Sequence, residues 1–363
     1  MKIIFKGKFF DNHSLSIVNR NIALALQSIP DVDLYLCNTG PISFMLKELL
    51  VLTTKTSNEY DIELRHMYPP TWEWPENDKT RIIYIQPWEF YKVPLEWQSK
   101  FETFCDHVIV PSQWNKTLYT RSGLNPNRVT VIPNGCNPSA YFPGPKSQSN
   151  IKQFLYCGSH QYRKGLDILL QAWPLAFQHN KNVRLIIKLN PKIYGNSDTF
   201  QKISDLANVQ LIDNDVEFKE MLKLYQTSDI LVHPHRGEAY GMHIAEALRC
   251  NLRVIVPDCG PTDEYVGNEH LRIKTNTKII NVHDPKYFVG KPGDSYTLMG
   301  SHCLVKEPSV ESLVEMLLLA VQTKNHISDT SRIQDWNQVG YSYYTLFKGI
   351  LKQKHIVRNG QNI

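Results

Sequence analysis

Two glutamates dominate the chemistry this chain could perform. Glu238 and Glu246 stand eight positions apart in His233-Pro-His-Arg-Gly-Glu238-Ala-Tyr-Gly-Met-His-Ile-Ala-Glu246, with Gly241 between them. Residues 229–234 read as a buried strand, 242–250 as a short helix and 252–257 as the next strand. The first acid then sits on a loop leaving a strand, and the second lies about a turn into the helix. In an open parallel sheet, ligands bind at the carboxyl ends of strands. The helix start offers the N–H groups of Gly241, Met242 and His243 together with the positive end of a dipole. One carboxylate can reach a sugar, the other a ribose diol, and the amides between them can take phosphate. That arrangement suits a sugar nucleotide.

A second strand-to-helix junction carries cations. In Tyr156-Cys-Gly-Ser-His-Gln-Tyr-Arg163-Lys164-Gly165, the adjacent Arg163 and Lys164 come just before a helix start. A departing diphosphate gains charge in the transition state, and fixed cations stabilise that gain. Alone, such a pair is usually a solvated loop; in the same half as Glu238 and Glu246 it reads as functional. For Glu246 the spacing leaves two readings open: a ribose ligand, or a surface acid paired with Arg249 or Arg253.

The elements that must position these residues alternate. In the first half, strands are expected at 2–7, 33–37, 61–67, 81–86, 107–111 and 128–133, and helices at 15–29, 95–105 and 113–122. Residues 133–145 are rich in turn formers and, with polar 146–150, make the best linker. The second half restarts with a strand at 153–157. A helix follows from 165, with Leu166, Leu169, Leu170 and Trp173 on one side; Pro174 should kink it or begin another. Strands at 183–189 and 209–212, then helices at 217–226 and 311–322, continue the alternation. Residues 270–308 read as an irregular insertion. The aromatic-rich stretch 332–351 reads as a helix, which a terminal core helix would equally explain. Two β/α halves around a linker predict an α/β fold of two doubly wound parallel sheets facing each other.

Composition narrows the class. A chain of 363 residues is comfortable as two domains, and 42% hydrophobic residues describe an ordinary globular protein. No run of eighteen apolar residues occurs, so no membrane span is expected. The N-terminus, interrupted by Lys6 and Lys8, reads as a first strand rather than a signal peptide. Seven scattered cysteines, odd in number and without a CxxC pair, point to reduced thiols and a cytoplasmic location. The net charge of +5 suits anionic substrates or contact at a lipid headgroup surface, and no basic block argues for nucleic acid. There is no GxGxxG after the first strand, and no GxxxxGK[ST], HExxH or GxSxG. The triplets Asp31-Val-Asp33 and Asp213-Asn-Asp215 invite a metal reading that context opposes. Asp31 follows Pro30 and starts a strand, while Asp215 stands where it would cap a helix beginning near Val216. His233 and His235 alternate on a strand end, too little for zinc. No metal and no resident cofactor are expected.

Four segments resemble a known family. They are Val110-Pro-Ser-Gln-Trp with Arg128-Val-Thr-Val-Ile-Pro-Asn-Gly135, Arg163-Lys-Gly-Leu-Asp167, the E-x7-E of Glu238 and Glu246, and Asp258-Cys-Gly-Pro-Thr-Asp263. Together they are similar to the retaining glycosyltransferases of family 4 (glycosyl transferases group 1). The resemblance implies the GT-B fold: two Rossmann-like domains facing across a cleft, with a C-terminal helix crossing back to the N-terminal domain. It implies an acceptor-binding domain at 1–148, a nucleotide-sugar-binding domain at 149–330 and the crossing helix in 331–363. It implies Glu238 and Lys164 as catalytic. Arg163, Lys164, Glu238, Tyr240, Gly241, Met242 and Glu246 would bind the donor, and Asn12, His13 and Ser14 the acceptor. The implied reaction moves a hexose-type sugar, with retention and without a metal, from a UDP- or GDP-linked donor. The acceptor would be a glycan, a glycolipid or other lipid-linked molecule, or a small molecule. Gly158-Ser159 stands where many relatives have Gly-Arg, and Ile85-Gln-Pro-Trp-Glu89 where many carry a histidine. The rival readings are a catalytically silent sugar-nucleotide-binding protein on the same fold, and a phosphorylase or epimerase.

Overall fold

Strands with apolar residues on both faces must be covered on both faces, and this chain builds two sheets of that kind. The computed structural model describes residues 1–44, 46–145, 150–189, 197–281, 284, 302–323 and 327–353. Met1–Trp88, Val93–Gly135 and the segment from Gln334 form one unit; Glu89–Lys92 and Cys136–Ile333 form the other.

The first unit holds β1 (Lys2–Gly7), β2 (Asp33–Asn38), β3 (Ile62–His66), β4 (Arg81–Ile85), β5 (His107–Val110) and β6 (Val129–Val131). They run parallel in the order β2-β1-β3-β4-β5-β6, so Ile3 lies beside Leu34 on one side and Ile62 on the other. Every residue of β3, β4 and β5 is buried, which is why β4 and β5 run largely apolar instead of alternating; β3 instead buries Glu63 and Arg65 as an ion pair. Helix α1 (Ser14–Gln27) covers one face through Val18, Ile22, Ala25 and Leu26, and His13 caps it by accepting the Leu15 N–H. Helix α2 (Lys47–Thr54) buries Leu49 and Leu52; its two-turn apolar pattern is too short to stand out in the sequence. Helices α3 (Leu95–Phe104) and α4 (Gln113–Arg121) complete the first half.

The second unit holds β7 (Lys152–Cys157), β8 (Val183–Lys188), β9 (Val209–Ile212), β10 (Ile230–Val232), β11 (Arg253–Pro257) and β12 (Leu271–Ile273), all parallel. Their order is β12-β11-β10-β7-β8-β9. The chain therefore winds outward from β7 in one direction, then returns and winds outward from β10 in the other. The switch between β7 and β10 leaves a crevice at their carboxyl ends. Phe154, Tyr156, Ile230 and Val232 face one core layer with α5 (Leu166–Phe177). Leu155, Leu231, Val254 and Val256 face the other. Helices α6 (Ser197–Ser204), α7 (Phe218–Thr227), α8 (Met242–Arg249) and α9 (Val310–Gln322) follow in order. Both sheets are doubly wound, as the alternation predicts.

One expectation is narrowed and two are corrected. Of the two outcomes expected at Pro174, a new helix does not begin there: α5 runs through the proline to Phe177. The buried Trp173 and Phe177 around the proline hold it, which outweighs one missing N–H. Asp215 does not cap α7; Glu217 does, in a reciprocal capping box with Glu220. Residues 270–308 are not simply irregular. They give β12 and an antiparallel pair, β13 (Thr275–Asn281) and β14 (His302–Pro308), with 282–301 outside the described residues apart from 284. In β14 the buried Cys303 and Val305 alternate with the exposed His302 and Leu304, a period that the apolar Leu304 disguises. No helix among the described residues is long and apolar enough to cross a membrane. No disulfide joins any of the seven cysteines, all of which lie among the described residues.

Helix α10 (Trp336–Lys352) starts at a capping box of Asp335 and Gln338 and packs on α1 within the first unit. A side chain at Gly340 would meet the Ala25 Cβ at 2.7 Å, so the two helix backbones approach closely here. Gly340→Leu should lower stability by about 1–3 kcal/mol, the usual range for overpacking. Urea denaturation measures this, and an unchanged midpoint would mean that α10 does not rest on α1 as described.

Candidate active site

The switch point between β7 and β10 brings two loops together. The loop after β7 ends in a single 3-10 turn at Tyr162–Lys164, and the loop after β10 carries 233–238. They lie against one another: the Arg236 N–H donates to the Arg163 carbonyl at 2.7 Å. Gly165, with φ of 72°, makes the left-handed turn into α5. A Cβ there would overlap the Pro234 carbonyl, so both the backbone angle and the close approach require glycine.

This contact sets the charged groups. The Lys164 ammonium donates to Glu238 Oε1, and Arg163 Nη1 lies 3.7 Å from Oε2. Arg163 Nη2 lies 3.3 Å from Glu89, a residue sequence reasoning left without a role. Glu238 is 6% exposed. Burial pushes its carboxyl up, but Lys164 and Arg163 outweigh that and hold it well below the usual carboxylate range. For Lys164, burial and the neighbouring Arg163 push the ammonium down. The structure thus brings together Arg163, Lys164 and Glu238.

Three imidazoles surround this ion pair. His233 and His235 are almost wholly buried, and His243 leads α8. The Nε2 atoms of all three are buried without a hydrogen-bond partner. His235 Nδ1 lies 3.1 Å from the His233 carbonyl and 3.2 Å from His233 Nδ1. The carbonyl can only accept, so the proton is assigned to His235 Nδ1, and His233 then carries its own on Nε2. That N–H lies close to Gly158, where a Cβ would meet it at 3.5 Å. His233, Glu238 and His243 also have ligand-capable atoms within 4.8 Å of one another, the one such group among the described residues. The donor set would suit a divalent ion, but its surroundings do not. Lys164 and Arg163 already occupy Glu238.

Glu246 pairs with neither Arg249 nor Arg253. Tyr225 donates its hydroxyl to Glu246 Oε2 at 2.7 Å, and Tyr141 also hydrogen-bonds the acid. Arg249 bonds the Ile333 carbonyl, and Arg253 bonds Thr323. Burial raises the Glu246 carboxyl, which the tyrosines partly offset. Tyr240 stacks on Tyr265, whose hydroxyl donates to the carbonyls of Tyr240 (2.7 Å) and Gly241 (3.0 Å). This fixes the turn into α8, where Met242 and His243 lead with N–H groups that have no partner within the helix. Asn12, His13 and Ser14 belong to the other unit. They lie where the chain leaves β1 and enters α1. Of the residues that sequence reasoning missed, Tyr141, Tyr225, Tyr265 and Glu89 are distant in the chain and carry no local signal. His243 lies inside the E-x7-E and could have been noticed.

Known proteins resemble this chain. The model of glycosyl transferases group 1 matches residues 140–287, and that of glycosyltransferase family 4 matches residues 63–140. The chain belongs to this family and has its GT-B fold. The gpi3 subunit of phosphatidylinositol N-acetylglucosaminyltransferase from Schizosaccharomyces pombe is 26% identical over 46% of this chain and 37% of that protein. The lipopolysaccharide 1,2-N-acetylglucosaminetransferase of Salmonella typhimurium is 26% identical over 44% of this chain and 46% of that protein. The matches therefore span less than half the length of these relatives. Among solved structures, a glycosyltransferase from Rickettsia africae superposes with a TM-score of 0.65 at 15% identity, covering 97% of this chain and 99% of that one. Anabaena HepE in complex with UDP-glucose gives 0.58 at 17% identity, covering 96% and 100%.

The buried histidines make stability fall in acid. His235 is pushed down to about 4 and His243 to about 3, in both cases mainly by burial. The unfolded chain protonates these groups near their ordinary value of about 6.5, so it takes up protons first as pH falls. Stability conferred by the neutral imidazoles is present above about pH 6.5 and declines below it, by up to about 1.4 kcal/mol per group and pH unit. Glu238, held down in the fold, adds a loss at still lower pH. The urea midpoint should therefore drop between pH 7 and pH 5, and less steeply in His235→Gln. A flat profile would contradict the buried neutral state.

Proposed function

We propose that this protein transfers a hexose-type sugar from a nucleoside-diphosphate sugar to an acceptor hydroxyl, with retention and without a metal. The observation that carries the reading is the Arg163–Lys164–Glu238 cluster at the β7/β10 switch point. Glu238 is acceptor-only and ionised, so it suits the hydroxyls of the transferred sugar. Lys164 and Arg163, the His233 N–H and the leading amides of α8 are donors suited to a diphosphate. As the bond from the anomeric carbon to the phosphate oxygen breaks, its electron pair passes to the diphosphate, where these donors oppose the new charge. The acceptor oxygen bonds to the same carbon and passes its proton to the departing diphosphate oxygen. Glu246, oriented by Tyr225, is placed to accept from a ribose diol. Retention is carried over from the family resemblance.

Several observations support the partners. HepE is described with UDP-glucose, which favours a UDP-linked donor, with GDP the alternative. The yeast and Salmonella relatives are named for phosphatidylinositol and lipopolysaccharide, which favours a lipid-linked glycan acceptor. An acceptor-binding role for 1–148 rests on Asn12, His13 and Ser14, which follow β1 where that sheet changes winding direction between β1 and β3. A cytoplasmic enzyme touching a membrane surface agrees with the mild positive charge.

Removing Glu238 should separate chemistry from binding. Glu238→Ala is expected to lower transfer by about a hundredfold to a thousandfold. UDP or GDP affinity, measured by titration calorimetry, should survive. Glu246→Ala should instead weaken nucleotide binding by about tenfold or more, the equivalent of one charged hydrogen bond. Full activity in either variant would overturn its assigned role. Slow hydrolysis across a panel of sugar nucleotides identifies the donor, and none from any donor would favour the silent binding protein.

Transfer should also proceed undiminished in EDTA. A loss restored by adding a divalent ion would make His233, Glu238 and His243 a metal site and remove the metal-free reading.

A further inference from the structure

Arg236 stands two residues before Glu238, between the buried His235 and Gly237, and is 2% exposed. A guanidinium has five N–H donors in a fixed planar fork. All five are engaged: Nη1 and Nη2 each donate to Asp167 at 2.7 Å, Nε and Nη2 donate to Glu307 at 2.6 and 2.8 Å, and Nη1 also donates to the Tyr162 carbonyl. The Tyr162 ring lies beneath it, 3.5 Å from the guanidinium carbon to the ring centroid. The Tyr162 hydroxyl donates to Glu307 at 2.9 Å and receives Lys278 Nζ at 3.0 Å.

Each partner belongs to a different element. Asp167 is in the first turn of α5, Tyr162 opens the turn that carries Arg163 and Lys164, and Glu307 lies on β14. One side chain thus bridges the loop that presents Lys164, the loop that presents Glu238, and a hairpin strand far along the chain. A lysine could not do this, since it offers a point charge and three donors.

We propose that Arg236 is a positioning residue for the transfer site, and that Glu307 makes the β13–β14 hairpin part of its support. Arg236 touches no reacting atom in this scheme. It holds Lys164 and Glu238 in register through the backbone on either side. The inference rests on the proposed sugar transfer, so its test has one arm that does not depend on that activity.

The first arm is hydrogen exchange on the whole chain. In Arg236→Lys, and in the milder Glu307→Gln, amides of 162–166 and 236–241 should exchange about tenfold faster or more, as expected when local opening becomes easier. Those of β7 and β11 should not change. Unchanged exchange in the two loops overturns the proposal whether or not the protein transfers sugar. The second arm is kinetic. Misplacement near 1 Å costs about a hundredfold in rate, so kcat should fall by that order in Arg236→Lys while the donor KM, set largely by the ribose and amide contacts, moves little. Glu307→Gln, which keeps a hydrogen-bonding shape, should retain more activity than Glu307→Ala. Wild-type kcat in Arg236→Lys, or a loss tracking global stability alone in all three variants, overturns the positioning role. Absence of turnover in the wild-type protein would instead strike the transfer reading and leave the exchange result to decide this one.

Discussion

Everything at the β7/β10 switch point depends on an ionised carboxylate kept out of water. Glu238 can be buried only because Lys164 and Arg163 lie against it, and they can be buried only because it is there. Taking such charges from water costs several kcal/mol per ion, which mutual attraction recovers only with good geometry. A hydrophobic trio of the same volume would be at least as stable. The ion pair is therefore a weak stabilising device, and its presence at the mouth of a sheet crevice follows better from chemistry. The same logic accounts for the tight loop contact. Gly165 against Pro234 and the Arg236 N–H on the Arg163 carbonyl hold the ions at the separation that makes burial tolerable.

Charge balance extends this reasoning. Arg163 and Lys164 face Glu238 and Glu89, so the four charges sum to zero. Next to them Arg236 and Lys278 face Asp167 and Glu307, again summing to zero. The histidines between contribute no charge, since burial keeps His233, His235 and His243 neutral at physiological pH. A site built this way carries no large uncompensated field at rest. It nonetheless holds the buried His233 N–H, which has no partner, and the leading amides of α8, donors suited to an anion that brings its own charge.

How much of this could be read from the chain follows from the range of the interactions. The strands were legible because both-sided burial writes itself as short apolar runs, as in Arg81–Ile85. The two site loops were legible because charged residues set beside glycine at strand ends stand where a parallel sheet binds its ligands. Their mutual contact was not, since Lys164 and Glu238 are seventy-four positions apart and pair only through the winding order of the sheet. Glu246 was left between two readings for the same reason: Tyr225 lies twenty-one residues away on another helix, while Arg249 is one turn away on its own. Local proximity suggested the wrong partner. Asp215 failed differently, because a local rule was applied where a better cap outweighed it.

The β13–β14 pair shows the limit most clearly. Its residues look dispensable in sequence, a charged stretch after the last sheet strand. Yet Glu307 completes the coordination of Arg236, and Lys278 bonds the Tyr162 hydroxyl that also reaches Glu307. A buried guanidinium leaves little freedom: each unsatisfied N–H would cost a desolvated donor. Five donors converging on three elements therefore specify one geometry far more strongly than apolar packing could, because a fork that must meet two carboxylates in plane cannot slide. The rigidity of Lys164 and Glu238 is on this view a property of the unit as a whole. It is supplied in part from β14, whose Glu307 holds Arg236 and whose Lys306 N–H donates to the Arg236 carbonyl at 3.4 Å.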